Sequence, residues 1–358
     1  MNRVLVARLD SDGDVLLAGP AIRAAAAHAA EVTLLCGPAG AQAGALLPGV
    51  DHTIVWHCPW IAANPDPVRT ADVRALTDRV AAAGFDLAVI LTSAHQSCLP
   101  LALVLRMAGV PVIAGISADY PGTLLDVRLR PDLDFTDDAP EPERALAVVN
   151  AAGLRLPDVD DGALRVHPPP DVSHLTGPGP YVVLHPGATV PARRWPAHRC
   201  AEAVRALTAD GHRVLVTGGP GEKELTAEVA GRHGTDLGGA TGFPELAGVL
   251  AGADVVVVGN TGPAHLAAAV GTPVVSLFSP VVPAVRWAPY RVPTVLLGDQ
   301  TAACRSTRAR ECPLPGHPCL TTVTAADVVA AVRTLRDGRP RHAHRNDLRT
   351  RQPAGRTG

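Results

Sequence analysis

The chain has 358 residues, 47% of them hydrophobic and 18% charged, with a formal net charge of −2. That supplies apolar material for two sizeable cores and excludes a global field favouring nucleic acid or an acidic membrane surface, so anion recognition must be local. Seven mostly scattered cysteines argue against a secreted disulfide framework, the N-terminus lacks a signal-peptide core, and no apolar run reaches the ~18 residues of a spanning helix; the expectation is a cytoplasmic, soluble monomer with at most peripheral membrane contact.

Residues 3–9 read as a first strand, Leu9-Asp10-Ser11-Asp12-Gly13-Asp14 as a polar turn, and residues 15–30 as an alanine-rich helix. Strands follow at 32–36 and 53–56, a helix at 67–83, a strand at 86–91, a helix at 98–108 and a strand at 110–114. This alternation predicts a doubly wound parallel α/β sheet. Residues 132–142, acidic and proline-rich, read as a surface loop, and 143–152 as a helix. Composition then shifts to Pro, Gly and Asp before alternation resumes: strands at 181–184, 213–217, 255–258 and 294–297, helices at 196–210, 222–232, 244–251, 264–270 and 325–336. We expect a first Rossmann-like domain over 1–165, a linker over 166–180, a second Rossmann-like domain over 181–337, and a disordered basic tail over 338–358.

The second half contains V-V-V-V-G-N-T-G-P-A-H-L-A-A-A-V-G-T-P-V-V-S-L-F-S-P. Four consecutive valines suit a strand buried on both faces. The turn Gly259-Asn260-Thr261-Gly262-Pro263 leads into a helix, with Thr261 a suitable N-cap and Pro263 suited to the first turn. Free amides and a helix dipole there favour a phosphate.

Other turns contribute different chemistry. Asp14 stands where the first strand hands over to a helix, at the sheet edge where α/β clefts form; it either caps that helix or accepts a proton from a hydroxyl nucleophile. A calcium-loop reading fails, because Val15 stands where Gly is needed and Ala21 where Glu is needed. His-Pro-Gly-Ala-Thr at 185–189, followed by Arg193 and Arg194, either forms a solvated loop or places guanidinium groups over a diphosphate; His185 alone reads as a packed or capping residue. In Thr217-Gly218-Gly219-Pro220-Gly221-Glu222-Lys223-Glu224 the Gly-Lys-Ser/Thr of a Walker loop is missing, and no G-x-G-x-x-G follows a strand. Glu222 or Glu224 either accepts ribose hydroxyls or is an exposed acidic first turn. Several turns of the second half thus converge on a diphosphate and the first half supplies a carboxylate, which suggests transfer from a nucleotide-activated donor to a hydroxyl acceptor.

R-V-L-V-A-R-L-D-S-D-G-D-V, H-P-G-A-T-V-P-A-R-R-W-P, T-G-G-P-G-E-K-E and G-N-T-G-P-A-H-L, in that order, resemble glycosyltransferase family 9, the heptosyltransferase-like enzymes. The segment C-R-S-T-R-A-R-E-C-P-L-P-G-H-P-C-L is similar to that family's Cys-rich loop. The resemblance implies a GT-B fold, two Rossmann-like domains facing a central cleft, and inverting, metal-independent transfer without cofactor. The donor would be a nucleoside-diphosphate sugar, ADP- or GDP-linked, carrying heptose or a related hexose. The acceptor would be a glycan, a lipid-linked or a small-molecule hydroxyl.

Asp14 matches the family's proposed general base. Donor contacts fall on His185, Thr189, Arg193, Arg194, Gly218, Gly219, Glu222, Asn260, Thr261, Gly262 and His265. Arg193 stands where the family usually has Lys, and Asn260 where it usually has Asp. Asp12, Gly13, His95, Gln96, Asp119 and Tyr120 are acceptor-side candidates, with Ser97 beside them. Zinc on Cys304, Cys312, Cys319 and His317 is a weaker alternative to a loop bordering the donor cleft, because no C-x-x-C knuckle is present. An epimerase on the same architecture, or a donor-binding protein without catalysis, are the alternative functions.

Overall fold

The computed structural model describes residues 1–62, 65–93 and 95–338. The tail expected beyond residue 338 lies outside them. The first sheet contains β1 (Arg3–Arg8), β2 (Glu31–Cys36), β3 (His52–Val55), β4 (Leu87–Ile90), β5 (Val112–Ile116) and β6 (Val127–Leu129), in the order β3-β2-β1-β4-β5-β6. The second contains β7 (Val182–His185), β8 (Val214–Gly218), β9 (Thr235–Gly238), β10 (Val255–Gly259), β11 (Val274–Leu277) and β12 (Thr294–Leu297), in the order β12-β11-β10-β7-β8-β9. Both sheets are parallel and, numbered from their own first strand, have the same doubly wound order. The valines of β10 pair with β7 on one side and β11 on the other, Val257 opposite Leu184 and Val275. Fully buried, this strand needs the unbroken β-branched run its sequence supplies.

Several elements differ from expectation. The helix expected over 15–30 is two helices, Asp12–Leu17 and Gly19–Ala26, because Pro20 cannot continue a helix but fits the first turn of a new one. Helix formation begins at Asp12, so half of the expected polar turn is helical. Glu141–Ala151 starts inside the expected surface loop, with Glu141 only 3% exposed. Strands β6, β9 and β11 had not been expected. β6 and β9 are short edge strands, and β11 follows the helix of the phosphate-type turn after a short Gly-Thr-Pro connection.

The two sheets are joined through helices rather than strands. Helix Asp12–Leu17 packs on helix Gly262–Ala269, and one apolar cluster runs from Val4 and Val6 through Leu16 and Leu266 to Val256 and Val258. Close approach depends on Gly13, where an added Cβ would lie 3.1 Å from His265 Cδ2 and 3.2 Å from Gly262 Cα. The turn after β1 therefore faces the turn after β10.

Candidate active site

In each sheet the strand order reverses between two central strands, β1 and β4 in the first, β7 and β10 in the second. Loops leaving such strands diverge and open a crevice. Here the crevices face one another. The turns after β1 and β4 supply Asp10, Ser11, Gly13, Asp14, Ser93, His95 and Gln96, and the turns after β7 and β10 supply Arg193, Asn260, Thr261, Gly262 and His265. They line a cleft of about 320 Å³, closed at one side by Trp287, Arg308 and Arg310.

Arg8, at the end of β1, is 3% exposed and organises the first wall. Its Nη2 donates to Asp14 Oδ1 at 3.0 Å and to Ser93 Oγ at 2.9 Å, its Nε lies 3.1 Å from Asp10 Oδ2, and Glu141 approaches at 3.4 Å. Ser11 Oγ donates to Asp14 Oδ2 at 2.8 Å, and Asp14 also completes a capping box by accepting the Ser11 N–H at 3.4 Å. Capping and cleft exposure are therefore both true of Asp14. Burial pushes its carboxyl upward, but the charge of Arg8 and the Ser11 hydroxyl outweigh that and hold it below the ordinary aspartate value. For Asp10 and Glu141 burial outweighs the charge of Arg8 and raises both carboxyls instead. The ionic chain continues from Glu141 to Arg144, Asp137 and Arg286, which adjoins Trp287.

The second wall is cationic and rich in backbone donors. Thr261 is the N-cap of Gly262–Ala269 with an extended backbone; its N–H donates to the Gly259 carbonyl at 2.9 Å, while its side chain makes no capping hydrogen bond, which leaves the hydroxyl available where Thr261 and Gly262 line the cleft. Arg193 Nη1 reaches the Asn260 carbonyl at 3.5 Å. Asn260 is buried, its side chain spanning the backbone of Ser279 at 3.4–3.5 Å. His265 is 5% exposed and among the described residues its Nδ1 has no partner. Burial, with Arg193 nearby, brings its pKa down to about 4, so it is neutral at physiological pH. Arg308 spans the walls, 3.2 Å from His95 Nε2 and 5.9 Å from the Trp287 ring centroid.

Other expected residues lie elsewhere. Asp12 turns away from the cleft and accepts the Ala43 N–H at 2.9 Å. His185 is buried, 3.0 Å from Thr217 Oγ1, and Glu222 accepts the Gly219 N–H at 2.9 Å; with Gly218 they form a separate cluster at the ends of β7 and β8. Thr189 and Arg194 are exposed, and Arg194 Nε donates to the Ala188 carbonyl at 2.6 Å. Asp119 and Tyr120 are exposed and do not line the cleft. Their sheet-edge position alone had suggested a role. Sequence reasoning passed over Arg8, Asp10, Arg308 and Arg310 as site residues. Arg8 lies within the strand that precedes the Asp10–Asp14 turn, and the two later arginines lie in the Cys-rich segment, so their place in family-like motifs is the available signal. Cys304 and Cys319 are buried in the second core, and His317 spends Nε2 on the Ala192 carbonyl at 3.1 Å. Among the described residues no group of three or more His, Cys, Asp or Glu is gathered for a metal.

The family model described as Glycosyltransferase family 9 (heptosyltransferase) matches residues 73–317, more than half of the chain. Lipopolysaccharide heptosyltransferase 3 of Escherichia coli is 32% identical over 164 residues, 43% of this chain and 46% of that one. Lipopolysaccharide heptosyltransferase 2 of Escherichia coli K12 is 27% identical over 219 residues, 56% of this chain and 61% of its own. The alignments thus span less than two-thirds of either relative. Among solved structures, the E. coli ADP-heptose lps heptosyltransferase II superposes with a TM-score of 0.72 at 20% identity, covering 93% of this chain and 98% of that one. A glycosyl transferase family 9 protein from Veillonella parvula DSM 2008 gives 0.73 at 19% identity, covering 93% and 97%. The fold is the GT-B architecture of these structures.

Proposed function

Because the chain belongs to glycosyltransferase family 9, we propose that it is an inverting, metal-independent glycosyltransferase moving a sugar from a nucleoside-diphosphate donor to a hydroxyl acceptor. The observation that carries this reading is the pairing of Asp14, ion-paired to Arg8, on one wall with Arg193 and the Thr261 turn on the other. Asp14 accepts the proton of the acceptor hydroxyl. The hydroxyl oxygen attacks the anomeric carbon from the face opposite the diphosphate. The departing diphosphate gains charge, which Arg193, the Thr261 hydroxyl, the Gly262 amide and the helix dipole are fixed to receive. These donors do the work that a divalent cation does in other transferases.

The donor is an ADP- or GDP-linked heptose or related hexose, and the acceptor a glycan, a lipid-linked or a small-molecule alcohol. The E. coli ADP-heptose lps heptosyltransferase II, which shares this fold, favours that donor class. No helix among the described residues is long and apolar enough to cross a membrane, which accords with action in the cytoplasm or at its membrane face. A panel of ADP-, GDP- and UDP-sugars, screened by thermal stabilisation and then by hydrolysis and transfer, tests the reading. Stabilisation with slow donor hydrolysis and transfer of inverted configuration is expected. Conversion of the donor without an acceptor would indicate an epimerase, and binding with neither transfer nor hydrolysis a protein without catalysis; either result would sink it.

A further inference from the structure

Arg8 serves two carboxylates that open onto the cleft. Its Nε lies 3.1 Å from Asp10 Oδ2 and its Nη2 3.0 Å from Asp14 Oδ1, and both aspartates line the same space. Gln96 fixes Asp10 from the other side. The Gln96 carbonyl accepts the Ser93 N–H at 3.0 Å, which leaves its amide to donate to Asp10 Oδ1 at 2.5 Å.

Three carboxylates around one guanidinium leave excess negative charge, which one proton relieves. The three differ in what else holds their charge. Glu141 has Arg144 at 3.4 Å and a side chain only 2% exposed, sealed from the cleft. Asp14 has the Ser11 hydroxyl. Asp10 has a neutral amide, and among the described residues its buried Oδ2 has no hydrogen-bond partner, only the ion pair to Arg8. Burial and the charge of Asp14 push Asp10 upward, against Arg8, Gln96 and, across the cleft, Arg308. Two further titratable neighbours are uncharged: Cys58 is a buried thiol raised to about 12, and burial with Arg308 lowers His95, which lines the same cleft, to about 4. Neighbouring carboxylates whose surroundings drive them in opposite directions are the usual sign of divided proton duties.

We propose that Asp10 and Asp14 act as one coupled carboxylate pair on Arg8, with Asp10 a second proton-accepting residue of the cleft. This rests on the transferase reading of the same site. In the step, the acceptor O–H bond breaks and its proton passes to a carboxylate oxygen of the pair. The oxygen's electrons form the bond to the anomeric carbon, and the bond from that carbon to the diphosphate oxygen breaks with its electron pair on the diphosphate. The pair afterwards returns its proton to solvent.

The full chain carrying aspartate labelled with carbon-13 at the side-chain carboxyl, titrated by NMR, gives a readout independent of turnover. One carboxyl should titrate above the ordinary aspartate value, vanish in Asp10→Asn, and move to lower pH in Asp14→Asn, where the like charge is gone. In transfer assays Asp14→Asn should keep a residual rate with an acid limb in its pH profile. Adding Asp10→Asn should lower that rate by a further factor of roughly 100. A raised carboxyl that survives Asp10→Asn, or a double variant that transfers as well as Asp14→Asn, overturns the pair. If the wild type transfers no sugar, the transferase reading fails while the NMR titration still decides the pairing. Asp10→Ser, checked by thermal melting, replaces Asp10→Asn if the latter does not fold.

Discussion

Arg8 Nη2 lies 3.0 Å from Asp14 Oδ1, and this contact sets the charge of the proposed base. A guanidinium does not lose its proton in a protein, so Asp14 stays ionised through the physiological range. The contact also lowers its basicity, and proton transfer depends on the acceptor hydroxyl becoming acidic as its bond to the sugar forms. Replacing Arg8 by Met removes the cation shared by Asp10, Asp14 and Glu141, and should lower stability by about 3–5 kcal/mol at neutral pH. The loss should shrink as acid protonates the carboxylates. Chemical denaturation at pH 7 and pH 4 checks this; equal losses at both would contradict the electrostatic account.

Arg193 is the cation beside the Thr261 turn. Arg193→Ala should reduce transfer by roughly 10²–10³-fold through lost stabilisation of the leaving group, and Arg193→Lys should recover part of it because charge is kept while the planar fork is lost. The comparison is made on kcat with saturating donor. An unchanged kcat in Arg193→Ala would remove the residue from the diphosphate site.

His265 gives a stability signature. Its pKa falls from 6.5 to about 4 on folding, so between those values the unfolded chain binds a proton that the native chain does not. Its contribution is present above pH 6.5 and is lost as pH falls toward 4. Between pH 7 and pH 5 it should account for about 2 kcal/mol of lost stability. His265→Gln should flatten the pH dependence of the unfolding free energy by that amount. A slope equal to wild type would mean that the imidazole is not held neutral.

Gly13→Ala tests the close approach of the two lobes. Within a helix the substitution ordinarily adds about 0.5–1 kcal/mol. Here the new methyl would sit 3.1–3.2 Å from His265 and Gly262, and overpacking of that kind costs about 1–3 kcal/mol, so a net loss is expected. A higher melting temperature for Gly13→Ala would show that the two turns separate freely.

Most of the fold was legible because alternation of apolar strands with alanine-rich helices survives in the sequence with little noise. The unbroken valines of β10 and the Gly-Asn-Thr-Gly-Pro turn carry both the burial and the helix start. What escaped was set by long-range pairing. Thr235–Gly238 becomes a strand only because β8 offers it an edge, and Glu141 leaves an apparent surface loop because Arg8, far earlier in the chain, draws it inward. The site was similarly divided. Asp14, Arg193 and the Thr261 turn were marked by turn chemistry. Asp10 was quoted within its turn, but its pairing through Arg8 has no local signature. Asp12, identical in type and two residues from Asp14, points elsewhere, because helical geometry turns its side chain toward Ala43.

The central claim is that Asp14 removes the acceptor's proton opposite a diphosphate held by Arg193 and the Thr261 turn. Transfer from the donor that stabilises the protein best, measured for wild type and Asp14→Asn with donor affinity determined in parallel, tests it most directly. The account predicts a loss of at least roughly 100-fold in transfer with donor binding and melting behaviour retained. Full transfer by a folded Asp14→Asn variant would contradict it.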